Sequence, residues 1–179
     1  MLILTLNLVI LKISAKLILT LLTVLNLFVM RIVIQRVSSA SVEIEGRVTA
    51  RIGPGLMILL GIEEEDLQDD ILWLCRKTAK LRIFDDHEGV MNLSVTDSKS
   101  EILIISQFTL HASTKKGSRP SYIRAARPEH AIPLYESFVK CMAEETLTEV
   151  KTGVFGAMMQ VSLVNNGPVT ILIDSKKKE

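Results

Sequence analysis

Cysteine is scarce in this chain of 179 residues: only Cys75 and Cys141 occur, each inside an apolar helical pattern. That reads as two buried thiols, excludes a disulfide scaffold and fits a reducing cytoplasm. No Cys-x-x-Cys, His-Glu-x-x-His or P-loop sequence is present, so metal chemistry and nucleotide hydrolysis lose their usual sequence support. A Gly-x-Ser-x-Gly elbow is missing as well, which weakens any reading of Ser106, Thr109 and His111 as a side-chain nucleophile with its base. There is no internal repeat and no linker, so the length suits one domain. Acidic residues are absent between Ile102 and Pro128, where Lys115, Lys116, Arg119, Arg124 and Arg127 all fall. The net charge of +1 implies nothing by itself. The local excess makes either a phosphate-binding patch or a solvated basic loop.

Residues 1–29 are almost wholly Leu, Ile, Val, Thr and Asn, broken by Lys12 and Lys16. The uncharged run Leu17–Met30 is 14 residues, short of the roughly 20 that a spanning helix needs, and no convincing cleavage site follows it. We read this segment as an apolar extension with Met30 as the functional start, a membrane anchor being the alternative. No stable membrane association is expected. Residues 175–179 form a charged tail.

From Arg31 the pattern is β. Ile32, Ile34 and Val37 alternate, as do Ser41–Ile44, and Glu45-Gly46 turns the chain into a return strand over Arg47–Ile52. Leu56–Ile62 is apolar throughout, as in a strand buried on both faces. Ile71, Leu74, Cys75, Thr78 and Leu81 then recur at helical spacing, and the acids Glu63–Asp66 before them would serve the helix start. Asp85-Asp86-His87-Glu88-Gly89 reads as a polar turn rather than a metal site. Pro128 opens a second helix with Ala131, Leu134, Tyr135, Phe138, Val139 and Met142 on one face. Met158–Val164 and Val169–Ile173 read as a hairpin about Asn165-Asn166-Gly167-Pro168. Arg36, with no acidic neighbour within five residues, reads as a surface charge.

Two motifs stand out. The strand-like Glu101–Ile105 ends in Ser106-Gln107-Phe108-Thr109-Leu110, and the chain later presents Asn166-Gly167-Pro168-Val169-Thr170. Together with the opening Met30-Arg31-Ile32-Val33-Ile34-Gln35-Arg36-Val37 and the loop Lys115–Ser121, they closely resemble the D-aminoacyl-tRNA deacylases over residues 30–174.

The resemblance implies an α/β single domain built on a bent, barrel-like, mostly antiparallel sheet with two main helices. It implies hydrolysis of D-aminoacyl-tRNA, and of mischarged glycyl-tRNA, as chiral proofreading, without a cofactor or metal. The Phe108 and Thr109 amides would form an oxyanion hole, with Thr109 as covalent nucleophile the competing reading. Ser106 and Gln107 would shape the pocket, Lys115, Lys116 and Arg119 would meet tRNA, and Arg36 would hold the Gly-Pro turn. A cis Gly167–Pro168 bond would act as chiral filter inside the partner's site of a homodimer. A catalytically silent tRNA-binding module is the rival reading.

Overall fold

The structure, a computed structural model, describes residues 30–177; the expectation for residues 1–29 falls outside them. The elements are β1 (Arg31–Ile44), β2 (Arg47–Ile52), β3 (Gly55–Gly61), helix α1 (Gln68–Ala79), β4 (Phe84–Asp85), β5 (Met91–Leu93) and β6 (Glu101–Ser106). A 3-10 turn (Phe108–His111), helix α2 (Pro128–Thr146), β7 (Val150–Thr152) and β8 (Gln160–Asp174) complete them. All strands except the small β4–β5 pair join one sheet, in the order β2-β1-β3-β6-β7 with β8 on β1. Among the described residues the fold is α/β, a bent and nearly closed barrel-like sheet carrying two helices. Its β1 pairings are antiparallel, while β3–β6 and β6–β7 are parallel.

Period-two patterning divides the sheet residues between two cores. Ile32 and Ile34 of β1, Ile58 and Leu60 of β3 and Ile104 of β6 pack toward α1 and α2, beside Leu74, Phe138 and Met142. The alternate residues Met57, Leu103 and Ile105 pack inside the bend with Val37, Val42 and Ile52. β3 and β6 are therefore covered on both faces, which is why their sequences run apolar without alternation. The helices meet at the apolar stripes expected of them; Leu81, however, lies beyond the end of α1.

Two expectations are corrected. The apolar runs on either side of Gly167-Pro168 are not hairpin arms: β8 is one strand along β1, and the turn is a bulge in it. Gln35 pairs Thr170 and Val37 pairs Asn165, so two steps along β1 oppose five along β8. The extra residues loop out, and Asn165 Nδ2 donates to Val169 O (3.1 Å) across the bulge. Pairing with β1 resumes on the far side because it satisfies the backbone groups of both strands. The second correction concerns Glu63 and Asp66, which are buried rather than placed in the first turn of α1. Asp69 and Asp70 occupy that turn, with Asp70 Oδ2 accepting from Leu67 N (2.9 Å).

Asp66 accepts from Glu63 N (2.7 Å) and lies 3.9 Å from Lys176 Nζ. Burial, with Asp70 and Glu63 nearby, pushes its carboxyl up to about 7 against the attraction of the Glu63 amide and Lys176. Its folded value lies above the unfolded one, so its contribution to stability is complete below the ordinary carboxylate range and is lost as pH rises through about 7. Asp66→Asn keeps the acceptor and removes the charge. The variant should gain more in melting temperature over the parent at about pH 7.5 than at about pH 5, with no further gain above about pH 8. A difference independent of pH would contradict this assignment.

Candidate active site

The Ser106-Gln107-Phe108-Thr109-Leu110 motif sits where two parallel strands end together. Leu60 of β3 pairs Ser106 of β6, and Gln107 N donates to Leu60 O (2.7 Å). The chain then tightens into the 3-10 turn, whose first back-donor is Leu110 N, to Gln107 O (3.2 Å). The opening N–H groups of such a turn, those of Phe108 and Thr109, have no acceptor within it. They lie beside a cavity of about 440 Å³ lined by Ser106, Gln107 and Phe108 on one side and by Phe155, Gly156 and Met158 on another. Apolar walls beside main-chain donors that the turn itself does not use suit an uncharged group carrying a polarised carbonyl.

The Thr109 hydroxyl is engaged by Gln107 Nε2. An amide cannot remove a proton from a hydroxyl, so this contact does not activate Thr109 as a nucleophile. His111, the neighbouring imidazole, faces away. It is buried, with Nδ1 2.9 Å from Glu63 Oε1, and a Cβ on Gly61 would stand 2.8 Å from its Nε2. Burial pulls its pKa below the ordinary value, against the Gly61 backbone and Glu63, which raise it. Its Nδ1 faces the Glu63 carboxylate. The sequence offered His111 as loop residue or base; it is a buried anchor instead.

Other contacts at this end of the sheet were not legible in the sequence. Arg124 Nη2 lies 2.7 Å from the same Glu63 oxygen. Arg31, paired with Asp174 (2.7 Å), donates through Nη1 to Leu110 O (2.8 Å). Tyr122 meets Phe108 edge to face, centroids 5.1 Å apart. Lys115, Lys116 and Arg119 lie exposed on a loop closed by the Ser113↔Ser121 bridge. That loop leads directly into Tyr122, whose ring meets Phe108.

Arg36 is buried, not a surface charge. Its Nε donates to Asn166 O (3.2 Å), and its Nη1 donates to Ile83 O (2.6 Å) and Asp85 Oδ1 (3.0 Å). Asp85 and Ile83 are supplied by the segment entering β4, remote in sequence, which is why its surroundings do not show there. The guanidinium thus braces the bulge from behind. The Gly167–Pro168 bond is cis, and Gly167 has φ +126°; a Cβ there would stand 3.1 Å from Arg36 Nη2 and 2.8 Å from Val169 Cγ2. Only glycine suits that backbone and that space.

The two motifs do not meet within one chain. Gly61 and Ser106 adjoin the Arg31 end of β1, whereas the Gly167-Pro168 bulge lies opposite Arg36. At about 3.3 Å per residue, the five steps from Arg31 to Arg36 span roughly 17 Å. Among the described residues no cluster of three or more His, Cys, Asp or Glu side chains could hold a metal.

Comparison with known proteins gives a consistent picture. Residues 33–174 match the family model described as D-Tyr-tRNA(Tyr) deacylase. The chain is 61% identical over 150 residues to the D-aminoacyl-tRNA deacylase of Bacteroides thetaiotaomicron, and 58% identical over 150 residues to that of Flavobacterium johnsoniae. Each alignment covers 84% of this chain and 100% of the relative. Among solved structures, it is similar to a c-Myc DNA unwinding element binding protein: TM-score 0.77, 41% identity, covering 80% of this chain and 97% of the other. A probable eukaryotic D-amino acid tRNA deacylase shares the fold at TM-score 0.71 and 16% identity, covering 82% of this chain and 99% of the other.

Arg36→Lys should destabilise the protein by about 1–3 kcal/mol, because one ammonium cannot reach acceptors on two sides and leaves buried carbonyls unsatisfied. Hydrogen exchange should quicken at Asn165–Thr170 before the rest of β8. Unchanged exchange in that segment would show that the guanidinium does not brace it.

Proposed function

The chain belongs to the D-Tyr-tRNA(Tyr) deacylase family and is an ester hydrolase of D-aminoacyl-tRNA, and from that premise we propose how its own residues carry the reaction. The ester carbonyl binds where the Phe108 and Thr109 amides point, beside the apolar cavity, and these donors stabilise the oxyanion as water adds. One such donor is typically worth about 100 to 1000-fold in rate. The substrate's own ribose 2′-hydroxyl assists the attack, so that no side-chain base is required. The observation that carries this reading is the pair of turn N–H groups without an acceptor in the turn, next to a Thr109 hydroxyl already engaged by Gln107. Ser106 and Gln107 shape the pocket between them.

Stereochemical choice is assigned to the Gly167-Pro168 bulge of a second copy. The bulge is exposed and lies opposite Arg36, five residues along β1 from the Arg31 that reaches Leu110 O, so a symmetric pair in which each bulge enters the other's site would supply what one chain lacks. Exposed Val161, Val164 and Met158 give that pairing an apolar surface. The Gly167 and Pro168 carbonyls would face the substrate α-amino group, admitting a D side chain and colliding with an L one. Glycyl-tRNA would also be hydrolysed, since glycine has no side chain to reject. Residues 30–174 would suffice for activity, a reading supported by alignments that cover 150 residues of this chain and the whole of each relative. The enzyme would work in the cytoplasm, where its substrate is.

The test is incubation with D-Tyr-tRNA and L-Tyr-tRNA: free D-tyrosine should accumulate and L-tyrosine should not. Binding without release of D-tyrosine would contradict the reading. Thr109→Ala should retain substantial activity, because its amide remains; a trapped acyl-enzyme on Thr109 would reverse the assignment. Replacing Lys115 and Lys116 by Ala should weaken tRNA binding and flatten its dependence on salt, as fewer counterions are released. An unchanged slope would place those lysines away from the RNA.

A further inference from the structure

The buried carboxylate of Glu63 touches two segments that the proposed reaction uses and that otherwise have separate supports. It stands just past β3, fully buried. Its Oε1 meets His111 Nδ1 at 2.9 Å and Arg124 Nη2 at 2.7 Å. His111 is the last residue of the 3-10 turn whose opening amides are proposed to meet substrate. Arg124 belongs to the segment that descends from the basic loop through Tyr122, whose ring rests on Phe108. The backbone repeats the link: Glu63 and Ala125 form an antiparallel bridge, and Ala126 N donates to Ile62 O (2.9 Å). A charge so placed is costly unless partnered, and among the cationic or N–H groups beside its Oε1 are those of His111 and Arg124. The turn is four residues long, and a 3-10 turn of that length has little rigidity of its own.

We propose that Glu63, acting through His111, is a positioning residue for deacylation: it pins the closing end of the Phe108–His111 turn and thereby fixes the direction of the Phe108 and Thr109 amides. Arg124 joins the basic segment to the same carboxylate, so the amides and the surface offered to tRNA move as one body. The inference rests on the reading of those amides as oxyanion donors. His111 itself reaches no substrate, since its ring is buried and turned to Glu63 and Gly61.

Single-turnover and steady-state hydrolysis of D-Tyr-tRNA by the full chain tests this, with melting temperatures to establish folding. His111→Leu fills the space without a donor and should lower kcat by about 10 to 100-fold, the scale of a displaced catalytic group, while KM stays within about threefold. His111→Asn places an amide nitrogen near the lost Nδ1 and should restore kcat to within about threefold of the parent. Adding Glu63→Gln to His111→Leu should lower kcat far less than the product of the two single effects, as expected of partners in one contact. A folded His111→Leu enzyme with the parent's kcat, or a His111→Asn enzyme no faster than His111→Leu, would overturn the proposal while leaving the reading of the amides intact. A parent enzyme that releases no D-tyrosine would overturn that reading, and this inference with it.

Discussion

A β-strand has two hydrogen-bonding edges, and the architecture follows from how β1 uses both. One edge is taken along nearly its whole length by β8. The other is shared, with β3 on the first half and β2 on the second. β2 and β3 are consecutive in the chain and occupy successive stretches of one edge along the bent sheet. The apolar cluster of Val37, Val42, Ile52, Met57 and Ile105 fills that bend. Since few buried backbone groups can go unpaired, the register of β1 against its neighbours also fixes where the functional turns emerge. One stands at the Arg31 end, the other opposite Arg36.

Each of those turns is held by a buried charge. Arg36 donates to carbonyls behind the Gly167-Pro168 bulge, and the Glu63 carboxylate lies against His111 Nδ1 and Arg124 Nη2 beneath the Phe108–His111 turn. Main-chain groups suit this site because a peptide N–H has no rotamer of its own; it points where the backbone is held. Rigidity therefore has to come from outside the turn, through contacts that cross between elements. The ordering of donors before the reaction is what lets an oxyanion site act without reorganising. A labile ester asks for little more than placement and charge stabilisation.

The sequence revealed the elements better than the interactions that hold them. Leu56–Ile62 and Glu101–Ile105 are apolar runs bounded by turns, and Ile71–Thr78 and Ala131–Met142 carry helical periodicity, so local patterning sufficed for β3, β6 and both helices. The bulge was not legible, because Gly-Pro between two apolar runs has the same letters whether the chain reverses or continues. Only the pairing of both halves of β8 with β1 decides it. The burial of Arg36 was hidden for a related reason: its acceptors Ile83 and Asn166 are 47 and 130 residues away. Glu63 looked like the first of four acids before a helix, and nothing local set it apart from Glu64, which is exposed. The motif at Ser106–Leu110 was legible as a motif, and the chemistry proposed for it came from resemblance, since main-chain amides leave no signature in the letters.

The central claim is that main-chain donors of the Phe108–His111 turn receive the reacting carbonyl. A crystal structure with a non-hydrolysable amide analogue of D-tyrosyl-adenosine tests it most directly. The analogue's carbonyl oxygen should lie about 3 Å from both the Phe108 and Thr109 nitrogens, the distance expected of oxyanion donors. A carbonyl carbon held against Thr109 Oγ1 with neither amide in contact, or an analogue bound away from this turn, would contradict it.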